Sequence, residues 1–343
     1  MNRKSRMIIF LSLVLSIFLF INFRLCPEKS LPYIKGIYIT SWTAASSSRM
    51  EHFINLIKAT ELNAVIIDMK EVDGIIAIGK IIPDPKELIE KLHQNNIYAI
   101  ARIVVLKDML LPRTKPNLAL RNKSGELWRD YSGKTWLDPA SKEVWDYHVE
   151  IAKEAIKVGF DEINFDYVRF PSDGDISKIV YPFWDGKTPK AEIIRKLFEH
   201  LNSKLRQFDV FLSVDLFGLT MVNKDDLNIG QLLENAIPYF DFICPMVYPS
   251  HYPSGFNRYN NPALYPYEII KMNLKMGKER MVNSKAKLRP WLQDFNLGVR
   301  YDKRMIELEK QAVYDTDSYG WLMWNAASVY TEDALEIDKR YLD

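Results

Sequence analysis

The sequence predicts an α/β fold, a (β/α)8 barrel preceded by an N-terminal membrane-anchor helix. Three observations predict the barrel. Eight short strand-like runs alternate with amphipathic segments, the alternation extends over about 310 residues, and no glycine-rich turn follows the first strand. A doubly wound open sheet would ordinarily carry such a turn, whereas "TSWTAASSS" contains no glycine.

The eight runs are rich in β-branched and aromatic residues: "GIYITSW" (36–42), "AVIIDMK" (64–70), "YAIARIVV" (98–105), "EINFDYV" (162–168), "VFLSVDLFG" (210–218), "FICPMVY" (242–248), "LRPWLQDF" (288–295) and "GWLMWNA" (320–326). The segments between them carry helix start and stop signals. Asp84-Pro85-Lys86-Glu87 offers an N-cap, a proline at the first helical position and a glutamate three residues on. Ser141 precedes "KEVWDYHVEIAKEAIKV", which runs into Gly159, and Thr188-Pro189 opens the next such segment. Strands alternating with helices imply parallel pairing through right-handed crossovers.

Two domains follow: residues 1–33 as tail, anchor and linker, and 34–343 as the barrel. Arg3, Lys4 and Arg6 precede an apolar run from Met7 to Phe23, at the short end of a membrane span. The residues after it, Asn22-Phe23-Arg24-Leu25-Cys26, are bulky or charged, which disfavours signal cleavage. The expectation is a single-pass anchor (about 7–23) with the barrel outside the cytoplasm, the alternative being secretion after cleavage.

Composition is that of a globular domain, 48% apolar and 26% charged. A formal net charge of +2 gives no footprint for nucleic acid. Cys26 and Cys244 build no disulfide framework, and the five His, at 52, 93, 148, 200 and 251, are scattered, so neither a metal nor a cofactor is expected. "SDGD" (172–175) reads as a turn, its acidic spacing being too short for a calcium loop.

In such a barrel the C-terminal ends of the strands line the active-site face. Alternation along strand four sends Glu162, Asn164 and Asp166 toward the axis and Ile163, Phe165 and Tyr167 toward the helices. Asp166 is then nearest the mouth, while Glu162 lies deeper and pairs with Arg102 or Lys70. The other strand ends contribute Asp68 and Lys70, Arg102, Asp215, Met246 and Tyr248, Trp291, Gln293 and Asp294, and Trp324 and Asn325. Carboxyls, amides and aromatic faces converging on one mouth suit a carbohydrate: rings stack on sugars, amides and charges bond hydroxyls, and two carboxyls act on the glycosidic bond. Asp166 is expected as nucleophile or base and Asp215 as acid, with Asp294 a substitute for either. Arg169, Lys70 and Arg102 would orient them, and Tyr248, Trp291 and Trp324 would hold the sugar. Asp68, Gln293 and Asn325 complete the expected substrate contacts. A barrel that binds glycans without cleaving them is the rival reading.

"GFDEINFDYVRFPSDG", "PMVYPSHY", "RPWLQDF" and "GWLMWNA" resemble, in that order, a glycoside-hydrolase-like family catalogued as a domain of unknown function. The resemblance extends from about Lys35 to about Tyr330 and implies a TIM-barrel glycosidase-like domain. The chain is also distantly similar to chitinase-type glycosidases. On that pattern Asp161, Asn164 and Asp166 fall at the spaced aspartates, Met246 and Tyr248 match the Met-x-Tyr of strand six, and Val168 stands where the catalytic Glu is expected. Substrate-assisted hydrolysis of N-acetyl sugars is therefore not carried over.

Overall fold

The computed structural model describes residues 30–338. The predicted anchor, about 7–23, lies outside the described residues. Among the described residues no helix is long and apolar enough to cross a membrane.

Within the described residues, 33–338 form one compact unit. Its strands are β1 (Ile34–Ile39), β2 (Ala64–Lys70), β3 (Tyr98–Val104), β4 (Glu162–Asp166), β5 (Phe211–Phe217), β6 (Phe242–Met246), β7 (Lys287–Leu288), β8 (Trp291–Gln293) and β9 (Gly320–Trp324). All pair in parallel, β5 with β6 and β9 with β1, so the sheet closes on itself. The short β7 and β8 share one barrel position, split at Arg289-Pro290, because proline has no N–H to give the ladder. The result is the closed eight-position barrel that the sequence predicts.

Among the described residues, the six helices of ten residues or more are α1 (Ser47–Ala59), α2 (Pro85–Gln94), α3 (Lys142–Val158), α4 (Lys190–Leu205), α5 (Pro266–Arg280) and α6 (Lys303–Asp315). Their ends follow the expected signals. The Asp84 carboxylate accepts from the Glu87 N–H at 2.9 Å, the Ser141 hydroxyl caps α3, and Gly159 closes α3 with φ +114°, a conformation a Cβ would oppose. Between β5 and β6 the crossover shrinks to one turn, Leu233–Ala236. The connection after β3, residues 105–141, instead grows into a small bridged layer in which Lys107 pairs with Trp136 and Ala119 with Leu137.

Two layers fill the molecule. Outward strand residues such as Ile37, Ile67, Ile103, Phe165, Val214 and Trp321 pack against the helices as one apolar core. Inside the barrel, buried charged and polar groups are mixed with apolar ones such as Ile66, Ile100 and Leu322. At its base Glu162 takes a two-pronged ion pair from Arg289, both side chains fully buried, and Arg289 also lies 4.0 Å from the Phe242 ring centroid. This corrects the expected partner of Glu162: Arg102 is engaged higher in the barrel and Lys70 points away from the axis. Asp161, at the opposite end of β4 from Asp166, bonds the Ala99 N–H and His93.

Candidate active site

A pocket of about 530 Å³ opens at the C-terminal end of the strands, and Arg102, Asp166, Arg169, Tyr248 and Trp324 are in its wall. Asp166 is 5% exposed. Its Oδ2 accepts from Arg102 Nη2 at 2.5 Å and Nε at 3.2 Å, and its Oδ1 accepts from the Tyr167 N–H at 2.6 Å. Arg102 is shared: its Nη1 donates to Asp68 at 2.6 Å, and Asp68 in turn accepts from the Tyr38 hydroxyl. Burial presses the guanidinium toward deprotonation, but Asp68 and then Asp166 reverse that effect and hold its pKa well above the ordinary value.

Asp215 lies on the neighbouring strand. The register pairs Asn164 with Ser213 and Phe165 with Val214, so one further step brings Asp166 level with Asp215, on strands about 5 Å apart. Both side chains share the inward parity of Asn164 and Ser213. Asp215 is 1% exposed and sits below the pocket wall. Its Oδ1 accepts from Asn164 Nδ2 and from Trp291 Nε1, both at 2.8 Å, while among the described residues Oδ2 has no donor. Burial, and then the negative charge of Asp166, push its pKa well above the ordinary carboxylate range. The two carboxyls thus have opposite surroundings: Asp166 faces a guanidinium, and Asp215 faces another acid in a dry layer.

The structure brings several expected residues to this pocket and withholds others. Trp324 lies in the wall with the Arg102 guanidinium 4.9 Å from its ring centroid and Tyr38 at 4.0 Å behind it. Tyr248 is also in the wall, edge-on to His251 and Phe295. Asp68 stands one layer back, bonded to Arg102. Trp291 is 1% exposed and supplies the Asp215 hydrogen bond instead of a sugar platform. Gln293 faces inward but is spent on the Ser250 hydroxyl and the Phe295 carbonyl.

Lys70 is excluded by a β-bulge. The β2–β3 register pairs Asp68 with Arg102 but Lys70 with Ile103, so the extra residue turns Lys70 to the outer layer. There it is fully buried against Asp108 at 2.8 Å and the Val104 carbonyl at 2.7 Å. Asp294 takes the parity opposite to Gln293, and both its oxygens accept at 2.8 Å from Thr331, backbone and hydroxyl. It ties down the end of β8 and is not in the pocket wall. Asn325 bonds the Asp294 carbonyl and the Ala327 N–H, forming a turn. Arg169 is in the wall but bonds Ser172 and the Phe170 carbonyl, so Arg102 alone orients Asp166.

Tyr167 corrects the alternation beyond β4. The strand ends at Asp166, and Tyr167 has φ +53°, a conformation that costs a non-glycine residue on the order of 1 kcal/mol or more. The reversal sends its ring into the pocket wall instead of the helix layer. The sequence reading also missed Tyr38, Phe217, His251, Tyr252, Ser172 and Asp173. Tyr38 and Phe217 were available from the inward parity of β1 and β5; the others belong to connections, where no periodicity reports direction. Glu71, half-buried just past the bulge, is another omission; burial and then Asp68 raise its pKa.

No curated protein sequence matches the chain. A hypothetical protein from Ruminiclostridium thermocellum is 36% identical over 56% of this chain and 98% of its own, with a TM-score of 0.48. The PgaB (BpsB) glycoside hydrolase domain from Bordetella bronchiseptica gives a TM-score of 0.62 at 11% identity, covering 86% of this chain and 95% of that one. An α-galactosidase from Thermus thermophilus gives 0.57 at 13% identity over 89% of this chain and 61% of its own. At 11% and 13% identity the likeness to those two enzymes is one of fold. The family model described as "Putative glycosyl hydrolase domain" matches residues 36–330, and the chain belongs to that family.

Proposed function

We propose that the protein is a glycosidase that cleaves a polysaccharide outside the cytoplasm, with Asp166 as nucleophile or base and Asp215 as acid. The supporting observation is the pair itself: two carboxyls on adjacent strands, level with each other, one held by Arg102 and the other with its pKa raised by burial and then by Asp166. Adjacent strands suit the carboxyl spacing of about 5–5.5 Å used by retaining glycosidases. In such a step the proton on the free Oδ2 of Asp215 passes to the glycosidic oxygen as its bond to the anomeric carbon breaks. Asp166 then attacks that carbon, or activates the water that does. Trp324 and Tyr248 offer ring faces for the sugar.

The second reading, glycan binding without cleavage, is favoured by one observation: Asp215 is 1% exposed. The two readings separate in a single assay. Polysaccharides incubated with the protein gain new reducing ends if it is a hydrolase, and Asp166→Asn and Asp215→Asn each abolish the gain. Binding with no release from the unmutated protein supports the second reading.

The extracytoplasmic, membrane-tethered location rests on the basic-then-apolar N-terminus. N-terminal sequencing of membrane and soluble fractions tests it: an intact terminus in the membrane fraction supports the anchor, and a cleaved soluble form removes it.

A further inference from the structure

The buried cations of this molecule follow one rule with one exception. Among the described residues, Lys70, Arg102, Lys107, Arg289 and Lys310 each face a carboxylate. Arg169, 6% exposed, has no carboxylate within ion-pairing distance, and Asp166, Asp173 and Asp130 act on it only from farther away. Its two acceptors, the Phe170 carbonyl and the Ser172 hydroxyl, are neutral, and both are reached by Nη1 at 3.1 Å. The guanidinium is held in place by ring faces instead, with centroids of Trp136, Tyr167 and Phe217 at 4.9, 5.0 and 4.6 Å. Rings restrain a guanidinium and favour its charge, but they accept no in-plane hydrogen bond.

The Nε–Nη2 edge is therefore left without an acceptor among the described residues, on a residue that is in the pocket wall beside Asp166. That edge presents two parallel N–H groups, the fork that grips both oxygens of a carboxylate. The other cation in the wall, Arg102, is already divided between Asp68 and Asp166. Asp173, also in the wall, accepts from the Tyr131 N–H at 3.2 Å.

We propose that Arg169 binds a carboxylate of the ligand, so that the glycan accepted by this pocket is acidic. The inference rests on reading the pocket as a glycan site and names its substrate class. Two carbohydrate sources supply the same chemistry, a hexuronate ring and the lactyl ether of a muramic sugar.

Isothermal titration tests it with the full chain carrying Asp166→Asn to prevent turnover. The probes are a glucuronate-containing oligosaccharide and a muramic-acid-containing oligosaccharide, each beside its counterpart with the carboxyl reduced to the alcohol. At least one acid is expected to bind about tenfold or more tighter than its reduced partner. Arg169→Gln brings that acid to the level of the alcohol while shifting the alcohol by no more than about twofold. Arg169→Lys, which keeps the charge without the fork, falls between. Equal affinity for acid and alcohol in both arms overturns the proposal, as does binding of neither acid. So does an Arg169→Gln variant that weakens acid and alcohol alike, because the residue would then serve only the wall. Hydrolysis is read separately with unmutated Asp166. Acid preference without new reducing ends removes the hydrolase reading and keeps this one. Release from neutral glycans without acid preference does the reverse.

Discussion

Trp291 donates its indole N–H to Oδ1 of Asp215 at 2.8 Å, the same oxygen that accepts from Asn164. A donor aimed at a carboxylate favours the charged form, so this bond restrains a pKa that burial drives upward. Trp291→Phe keeps a ring in the layer and deletes the donor. The alkaline limb of kcat/KM, where the acid loses its proton, is expected to move to higher pH. A pH–rate profile reads it; an unmoved limb means that Asp215 is not the group being titrated. The variant is also expected to lose about 1–3 kcal/mol of stability, from reduced packing and the lost bond.

Asp215 also makes stability depend on pH, and the sign is fixed. Its folded pKa lies above the ordinary 3.8, so above 3.8 the folded state holds a proton that the unfolded chain has released. Stability from this group is therefore lost as pH rises toward the folded pKa. Asp215→Asn retains the Oδ1 acceptor for Asn164 and Trp291 and cannot ionise. Thermal unfolding at pH 5 and pH 9 is expected to show the variant gaining on the parent at the higher pH, by about 2 °C or more. Parallel losses in the two proteins would count against a protonated Asp215.

Arg102 neutralises two acids at once, Asp68 and Asp166. Arg102→Met leaves both without their cation in the barrel interior, a defect costing about 3–5 kcal/mol. Activity is expected to vanish as Asp166 loses its anchor. Urea unfolding at pH 7 and pH 4 checks the cause, since burial already raises the pKa of Asp68 and the defect must shrink as that acid takes up its proton. A pH-independent loss would make it one of packing.

The barrel was legible because its signals are periodic. Alternation in "EINFDYV" placed Glu162, Asn164 and Asp166 inward, and alternation in β5 did the same for Asp215. The errors fall where the period breaks. A bulge between Asp68 and Lys70 turned Lys70 outward, and a positive φ at Tyr167 turned that ring inward. Asp294 and Gln293 could not both face the axis, and hydrogen bonds to Thr331 settled the choice against Asp294. Pairings within the barrel were harder still. Glu162 meets Arg289 across the interior, 127 positions away in the chain, and nothing local to either residue reports that distance.

That Glu162–Arg289 pair sits at the closed end of the barrel, remote from the pocket, and it separates structure from chemistry. Both side chains are fully buried, and the pair is two-pronged. Removing one member strands the other's charge, so Glu162→Gln is expected to cost about 3–5 kcal/mol in urea unfolding. Replacing both, with Glu162→Leu and Arg289→Met, removes the stranded charge and is expected to recover most of that loss, because well-packed apolar substitutes for a buried ion pair are often neutral. Catalysis measured well below the unfolding temperature should be unchanged in the double variant, since neither group reaches the pocket wall. A double variant that folds as stably as the parent yet loses turnover would show that this pair also shapes the mouth, and the division of the interior into a structural base and a chemical top would have to be withdrawn.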